Sequence, residues 1–388
     1  MHFLLTATTR GYSSGAITLA LLTYFALSSD ALRMCLSSTP TFFFTPRHQP
    51  RLTYSHSSQK LLTTKWLSPT SLASAGWSHN IRLWSYSDPA GTITPTLDLY
   101  GHRLPITSLA AHTPSSRLLS ASADHTAKLW STVPNDPEAP AAPSNLLPAA
   151  FAPSNKRRKL SASSSSATVA APHTAGALAT LSGHTGAVRD AIFHPNDPTV
   201  AYTASADRTF RTWDLVTSAL VDTRTPAPHV PLASVCALKE LGLVALGTTT
   251  SRSVLLVDPR EGGGNGQGRA VVMTLKGHRG DVVALAGDPG STWGLASGSH
   301  DGCVRVWDVR NAGGGGGGEG AGGLNAGAGV AGEGKVGSAT FRIPRRTNER
   351  CDAVVGGEGV KVFGLCWDKE VGIVSAGEDK MVQVDKSA

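Results

Sequence analysis

Short stretches of alternating residue types recur along the chain. At residues 303 to 306, for example, Val304 and Val306 alternate with Cys303 and Arg305. Strict alternation places the two sets of side chains on opposite faces of a β-strand. These stretches therefore predict an all-β fold built from half-buried strands.

A longer signature contains three of these stretches. Each copy has a Gly-His pair, then a run of small residues ending in Asp, and then a Trp; the copies run from Gly101 to Trp130, Gly183 to Trp213 and Gly277 to Trp307. The His and Asp are separated by 22, 23 and 23 residues, and the Trp follows the Asp by 6 residues in every copy. This spacing is typical of WD repeats, each of which forms one blade of a β-propeller.

Three weaker copies keep only the tail of the signature, at 73–84, 245–258 and 375–385. The sequence thus predicts an all-β WD-repeat propeller with six recognisable blades of a seven-bladed family, each blade having four antiparallel strands. Blades stack radially because a single blade cannot bury both faces. The last blade lacks room for a fourth strand, and the candidate donors are 41–45 and 51–54. Ser78 and Ser251 stand where two weaker copies lose the Asp, and we expect those blades to be less rigid.

The His, Ser, Asp and Trp of one blade form a hydrogen-bonded set in WD-repeat proteins, and the resemblance implies three such sets here. They are His102, Ser122, Asp124 and Trp130; His184, Ser205, Asp207 and Trp213; and His278, Ser299, Asp301 and Trp307. Ser, His and Asp also make up hydrolytic triads. Repetition in three blades favours a structural role, so we expect no catalytic residues and no enzyme activity.

No cofactor or metal site is expected either. The five cysteines are scattered and contain no Cys-x-x-Cys pair, so we interpret them as reduced, buried thiols of an intracellular protein. The glycine run that begins at Gly313 lacks the flanking strand, helix and Lys-Ser/Thr of a phosphate-binding loop.

Composition shifts predict two regions, the second of which contains two insertions. Residues 1–60 are an atypical N-terminus, largely disordered or wrongly assigned, and 61–388 form the propeller with disordered insertions at about 131–177 and 312–350. The first insertion contains a basic run that predicts nuclear import, against the alternatives of a solvated basic patch or a weak RNA contact; it consists of Lys156, Arg157, Arg158 and Lys159. The end of the second, from Arg342 to Arg346, either contacts an acidic partner or forms a solvated loop.

The N-terminus contains an apolar run, 16–27, preceded by Arg10. The run has the length of a secretory signal and is too short to span a bilayer. We favour an atypical N-terminus over a signal and expect no membrane association.

The net charge is basic. The chain of 388 residues carries a formal charge of +7 and has 40% hydrophobic and 16% charged residues, so part of it folds around a core. A basic protein attracts acidic partners, either RNA or an acidic protein surface, and net charge alone does not choose between them.

Several blade segments resemble one fungal family, the Ytm-type ribosome-biogenesis WD proteins, over roughly residue 61 to the C-terminus. The segments are 197–205, 211–215, 221–224, 258–260, 297–302, 361–367 and 372–380. The resemblance implies a scaffold subunit of a nucleolar and nucleoplasmic complex that contains a Pescadillo-type protein and a Bop/Erb-type WD-repeat protein. That complex acts on the pre-ribosomal particle, in large-subunit rRNA maturation and large-subunit assembly.

The front of the chain departs from that family, which has a ubiquitin-like domain that docks on the AAA ATPase midasin, followed by a first blade. Residues 1–60 match neither, and a truncated gene model is the simplest interpretation. A midasin-type partner is expected only if the full-length protein has the ubiquitin-like domain. The alternative function is a substrate receptor or adaptor of a ubiquitin ligase or of another multiprotein complex, which the same fold supports.

Overall fold

The computed structural model describes most of the predicted propeller region, 61–388, and three short strands before it. The described residues are 2–5, 20–23, 42–43, 60–68, 70–87, 92–147, 172–227, 229–260, 271–310, 341–344, 361–369, 372–378 and 382–385. In this part of the chain the elements are β-strands and one short 3-10 helix, Thr113–Ser115. The predicted all-β fold is confirmed.

The strands form six blade-like sheets, numbered here I to VI, and a separate pair, β1 (His2–Leu5) with β2 (Ala20–Thr23). Blade I contains β4 (Leu61–Ser68), β5 (Ser71–Gly76), β6 (Asn80–Ser87), β7 (Thr92–Tyr100) and, at its outer edge, β11 (His173–Ala175). Blade II contains β8 (Ile106–His112), β9 (Arg117–Ser122), β10 (Thr126–Ser131) and β12 (Ala179–Ser182). Blade III contains β13 (Val188–Phe193), β14 (Val200–Ser205), β15 (Phe210–Asp214) and β16 (Ala219–Arg224).

The second half of the propeller follows the same order. Blade IV contains β17 (Leu232–Leu238), β18 (Leu243–Thr248), β19 (Ser253–Val257) and β20 (Val271–Lys276). Blade V contains β21 (Val282–Gly287), β22 (Gly294–Ser299), β23 (Cys303–Asp308) and β24 (Phe341–Pro344). Blade VI contains β25 (Val362–Asp368), β26 (Gly372–Gly377), β27 (Val382–Asp385) and β3 (Phe42–Phe43).

Adjacent blades bury apolar residues between them from I/II to V/VI. The I/II interface, for instance, contains Ile81, Leu97, Ile106 and Trp130. The second strand of each blade is accordingly buried on both faces, as in β9, where 118–122 are all buried. These second strands differ from the half-buried stretches predicted at the blade tails, because a strand packed between two neighbouring blades has no solvent face.

The first strands of all six blades line a central cavity of about 1050 Å³. Each of them has a shift in pairing register near its beginning, as a β-bulge produces. The unpaired residue at each shift lines the cavity; these residues are Leu62, Thr107, Arg189, Ala233, Val283 and Phe363. The repeated bulge gives the cavity one lining residue per blade at the same level.

Two outer strands lie outside the segments predicted to form blades. Phe341–Pro344, inside the predicted insertion at 312–350, pairs antiparallel with β23 as the fourth strand of blade V. A long glycine-rich sequence precedes this strand and hides it from a periodicity search, so of the two interpretations of the Arg-rich end, a solvated loop does not hold for Arg342. Phe42–Phe43, in one of the two candidate donor segments, pairs antiparallel with β27; the other candidate, 51–54, lies outside the described residues.

The predicted insertion at 131–177 also ends in a strand. His173–Ala175 pairs parallel with β7 of blade I before the chain enters β12 of blade II. The insertion therefore connects two blades at their outer edges. Over the described residues, no helix has the length and apolar character that crossing a membrane would require.

Candidate functional site

Three chains of hydrogen bonds hold the Gly-His loops against the turns between second and third strands. In blade II, His102 Nδ1 lies 2.8 Å from Asp124 Oδ2, and His102 Nε2 lies 2.7 Å from Ser120 Oγ. The indole Nε1–H of Trp130 donates to Ser120 Oγ at 2.8 Å. The chain of contacts thus runs from the third strand, through the second, to the loop that enters the blade.

Blade III repeats this arrangement with a threonine hydroxyl. His184 Nδ1 lies 2.8 Å from Asp207 Oδ2, and His184 Nε2 lies 2.8 Å from Thr203 Oγ1. Trp213 Nε1–H donates to Thr203 Oγ1 at 2.8 Å.

Blade V repeats it with serine. His278 Nδ1 lies 3.0 Å from Asp301 Oδ2, and His278 Nε2 lies 2.7 Å from Ser297 Oγ. Trp307 Nε1–H donates to Ser297 Oγ at 2.7 Å. The His, Asp and Trp predicted for each set therefore lie together in all three blades.

The predicted serines do not belong to these chains of bonds. Ser122 donates to the carbonyl oxygens of Leu104 and Pro105 and accepts from the Asp124 N–H. Ser205 makes the equivalent bonds in blade III, and Ser299 accepts from the Asp301 N–H in blade V. The assignment of Ser122, Ser205 and Ser299 to the sets is therefore corrected to Ser120, Thr203 and Ser297.

Strand geometry explains the correction. Residues two apart in a strand face the same side, so Ser120 and Ser122 both point toward the histidine side and alternation cannot separate them. Ser120 of β9 is opposite Lys128 of β10, and Trp130 lies two residues after Lys128 in β10. The indole therefore reaches its diagonal neighbour Ser120 and not the more distant Ser122. Pairing register is the signal that distinguishes the two serines.

The Asp of each set also bonds to the backbone of the Gly-His loop and to that of the turn between the second and third strands, as blade II shows. Asp124 Oδ2 accepts the backbone N–H of Arg103 at 3.0 Å, and Oδ1 accepts the backbone N–H of Thr126 at 3.0 Å. The next residue, His125, has φ 68°. A carboxylate bonded two residues ahead, followed by a left-handed residue, produces a tight turn. The Asp thus holds the turn and the entering loop together.

The Gly of the Gly-His pair has a steric role in blade III. Gly183 has φ 145°, a backbone conformation that other residues rarely adopt. A Cβ atom there would lie 2.7 Å from Arg211 Nη1 and 3.6 Å from the Trp213 ring. The backbone angle therefore requires glycine here, since a Cβ would make only ordinary contact with the indole and the Arg211 side chain could move.

The electrostatics favour a neutral histidine beside an ionised carboxylate. Burial lowers the pKa of His102 and of His184, although the adjacent carboxylates act in the opposite direction. Burial alone would raise the pKa of Asp124, but hydrogen bonds from His102, Thr126 and the Arg103 N–H outweigh it and lower the pKa well below its usual range. In blade V the same balance lowers the pKa of Asp301 to about 2.

These protonation states give each donor hydrogen in the chain of bonds an acceptor. The Trp N–H donates to the hydroxyl oxygen, the hydroxyl donates to His Nε2, and His Nδ1–H donates to Asp. The hydroxyl groups are inaccessible, since Ser120, Thr203 and Ser297 are each 0% exposed. The arrangement satisfies buried polar groups and leaves no nucleophile open to a substrate.

Blades I and IV, which have two of the weaker copies, contain other polar contacts in place of the His–Asp bond. In blade I, Trp84 Nε1–H still donates to Ser74 Oγ at 2.8 Å. Arg82 there makes a bidentate ion pair with the buried Asp98, at 2.6 and 2.7 Å. In blade IV a cluster of hydroxyls, Thr248 and Ser251 with Ser253, fills the turn.

The remaining predicted residues lie elsewhere. Lys156, Arg157, Arg158 and Lys159 are outside the described residues. Cys303 is buried and Cys236 is half-buried, and burial raises the pKa of the Cys236 thiol to about 11. Cys366 is exposed, so the prediction of buried thiols was wrong for this residue.

Comparison with known proteins agrees with the repeat geometry. The family "WD domain, G-beta repeat" matches residues 93–131, 176–214 and 269–308. These segments contain the three His–Asp–Trp sets, and the chain is a WD40-repeat β-propeller.

The particular relatives are fungal proteins named "Ribosome biogenesis protein ytm1". The chain is 46% identical to that of Aspergillus terreus over 345 residues, which is 87% of this chain and 65% of the relative. It is 48% identical to that of Aspergillus clavatus over 330 residues, 83% of this chain and 61% of the relative. The chain thus spans 61 to 65% of the length of these two relatives, and it is similar to Ytm-type proteins.

Proposed function

We propose that the protein is a scaffold subunit of a nucleolar pre-ribosomal complex that acts in large-subunit rRNA maturation and large-subunit assembly. The supporting observation is identity of 46 to 48%, over most of this chain, with proteins named for ribosome biogenesis. Its proposed partners are a Pescadillo-type protein and a Bop/Erb-type WD-repeat protein. A midasin-type ATPase joins them only if the full-length protein has a ubiquitin-like domain.

A scaffold needs binding surfaces and no catalytic group. The Ser/Thr, His and Asp that could imitate a hydrolytic triad recur in three blades, and their hydroxyls are fully buried under an indole ring. A nucleophile must reach its substrate, whereas these groups reach only each other. We therefore assign them a structural role.

Replacement of Asp207 with Ala tests that role. The change leaves the His184 ring and two backbone N–H groups without their acceptor, and we expect the free energy of unfolding to fall by roughly 3 kcal/mol. Loss of a catalytic turnover without loss of stability would contradict the structural role.

Nuclear import is proposed to depend on Lys156, Arg157, Arg158 and Lys159. Four adjacent cations are a pattern that import receptors read. A fluorescent fusion should enter the nucleus, and replacement of all four with Ala should leave it in the cytoplasm. Replacement of Arg345 and Arg346 with Ala is the control and should leave nuclear entry unchanged.

Affinity purification tests the complex itself. The tagged chain, expressed in fungal cells, should recover the Pescadillo-type and Bop/Erb-type proteins with large-subunit precursor rRNA. Recovery of neither protein would overturn the proposed function.

A further inference from the structure

The two ends of the propeller have different charge. The first and third strands run away from the Gly-His loops and the second and fourth run back, so the loops between blades and the turns between second and third strands lie at one end. The bonds from His102 to Asp124 and from His184 to Asp207 join these loops and turns directly. This end is called the histidine end below, and the opposite one the far end.

Every blade contributes a cation to the histidine end. Five of these residues are exposed and Lys361 is half-buried; in blade order they are Lys60, Arg103, Arg208, Arg252, Arg279 and Lys361, here called the basic ring. Arg189, also exposed, is the bulge residue of blade III and lines the cavity.

The acidic residues of this end offset the ring only in part. Asp124, Asp207 and Asp301 have side chains that are only 10%, 5% and 7% exposed, since they bond to their histidines. The other acidic residues in the described loops and turns of this end are Asp281 and Glu378.

The far end carries the opposite charge. Its described loops and the strand ends beside them contain more acidic than basic residues, including Asp136, Glu138, Asp197, Asp214, Glu240, Asp258, Asp288 and Asp308. Some of these are paired, as Asp308 is with Arg310 at 2.7 Å. A polyanion is therefore attracted to one end and repelled from the other.

Exposed rings lie among the cations of the histidine end. Trp77, in the turn of blade I, is 50% exposed. Phe363, the bulge residue of blade VI, is 42% exposed and makes an edge contact with His300 at 5.3 Å between ring centroids. Exposed rings beside cations provide a stacking surface for unpaired bases.

We propose that the histidine end binds single-stranded RNA, with phosphates on the basic ring and bases stacked on Trp77 and Phe363. A flexible strand can follow cations that are spread around all six blades, whereas a folded acidic surface would contact one sector. The exposed rings also favour nucleic acid, because unpaired bases can stack on them and acidic side chains cannot. That the bound RNA is pre-ribosomal rests on the proposed function.

Two turn cations allow charge to be removed without strain. Arg208 and Arg252 have φ of 73° and 54°, and asparagine tolerates this left-handed conformation better than most residues. The test variant is therefore Arg208→Asn with Arg252→Asn. The matched control is Lys239→Asn with Lys369→Asn, two exposed cations in far-end turns, which changes the net charge equally.

Binding is measured by fluorescence anisotropy of a labelled 20-nucleotide single-stranded RNA of mixed sequence, with the full chain at 50 to 300 mM KCl. Each phosphate contact to a single strand contributes about 0.7 to the slope of log affinity against log salt. The Arg208→Asn/Arg252→Asn variant should lower that slope by about 1.4 and weaken binding roughly tenfold at 100 mM salt, with the control unchanged. Trp77→Ala should weaken binding about fivefold or more without changing the slope.

Three results would overturn the inference. One is no RNA binding by the unaltered chain at 50 mM KCl, and another is equal weakening by the control pair. The third is displacement of RNA by polyglutamate of matched charge as effectively as by unlabelled RNA, with no effect of Trp77→Ala, which would assign the end to an acidic protein. Melting temperatures of the variants verify that they fold.

Failure of this inference and failure of the proposed function give different results. Loss of RNA binding with intact recovery of the two partner proteins removes only the RNA site. Intact RNA binding with recovery of neither partner removes only the proposed complex.

Discussion

Ser108 of blade II donates its hydroxyl to Asp190 of blade III at 2.6 Å. The other oxygen of Asp190 accepts the backbone N–H of Val235, in blade IV, at 2.8 Å. One carboxylate beside the cavity thus links the first strands of three consecutive blades. Burial raises the pKa of Asp190, and the hydrogen bonds from Ser108, Val235 and Ala191 oppose that rise.

Replacement of Asp190 with Asn should loosen this link. An amide NH₂ in place of one oxygen leaves a donor without an acceptor, and we expect the free energy of unfolding to fall by about 1–3 kcal/mol in urea titrations. Glu240→Gln, at an exposed far-end turn, is the control and should change stability little. An equal effect of the two changes would contradict a role for Asp190 in joining the blades.

The corrected hydroxyl assignment is testable by a double-mutant cycle. Trp130→Phe removes the indole N–H, which donates to Ser120 and not to Ser122. Ser120→Ala should therefore couple to Trp130→Phe by about 1 kcal/mol or more, whereas Ser122→Ala should add to it independently. Unfolding in urea measures both cycles. Coupling of Trp130 to Ser122 alone would restore the assignment made from the sequence.

The buried histidines predict the pH dependence of stability. Burial lowers the pKa of His102 and His184 in the folded chain, and the unfolded value lies near 6.5. Below about pH 6.5 the unfolded chain therefore binds more protons than the folded one. The contribution of the two histidines to the free energy of unfolding is therefore fully present above that pH and decreases as the pH falls. Asp124 and Asp207 do not titrate in this window, because their pKa values lie well below the usual range.

Calorimetry at pH 6 in buffers of different ionisation enthalpy should accordingly show proton uptake on unfolding. His102→Gln should reduce that uptake. Zero uptake, or release of protons, would show that these histidines are charged in the folded chain.

Sequence reasoning predicted the blades because Gly-His, Asp and Trp recur at nearly constant spacing. It missed what depends on strand register and on distant segments. Ser120 and Ser122 share one face of a strand, so their spacing to Trp130 does not decide between them. Phe341–Pro344 joins β23 only after a long glycine-rich stretch of sequence, which breaks the period that identified the other strands.

The ion pair of blade I was also beyond sequence reasoning, because Arg82 and Asp98 become neighbours only through the pairing of β6 with β7. Blade IV has Leu255 opposite Thr274 on its third and fourth strands, where blade I has Arg82 opposite Asp98. The same fold therefore accommodates either a charged or a largely apolar pair at this place.

This comparison predicts the result of exchanging the two pairs. Asp98→Thr alone leaves the guanidinium of Arg82 without its carboxylate partner and should cost about 3–5 kcal/mol, since the Asp98 side chain is 0% exposed. Arg82→Leu with Asp98→Thr reproduces the pair of blade IV and should recover most of that loss. Urea unfolding of the single and double variants measures the difference. A double variant no more stable than Asp98→Thr would show that the ion pair itself, and not the absence of an unpaired charge, stabilises blade I.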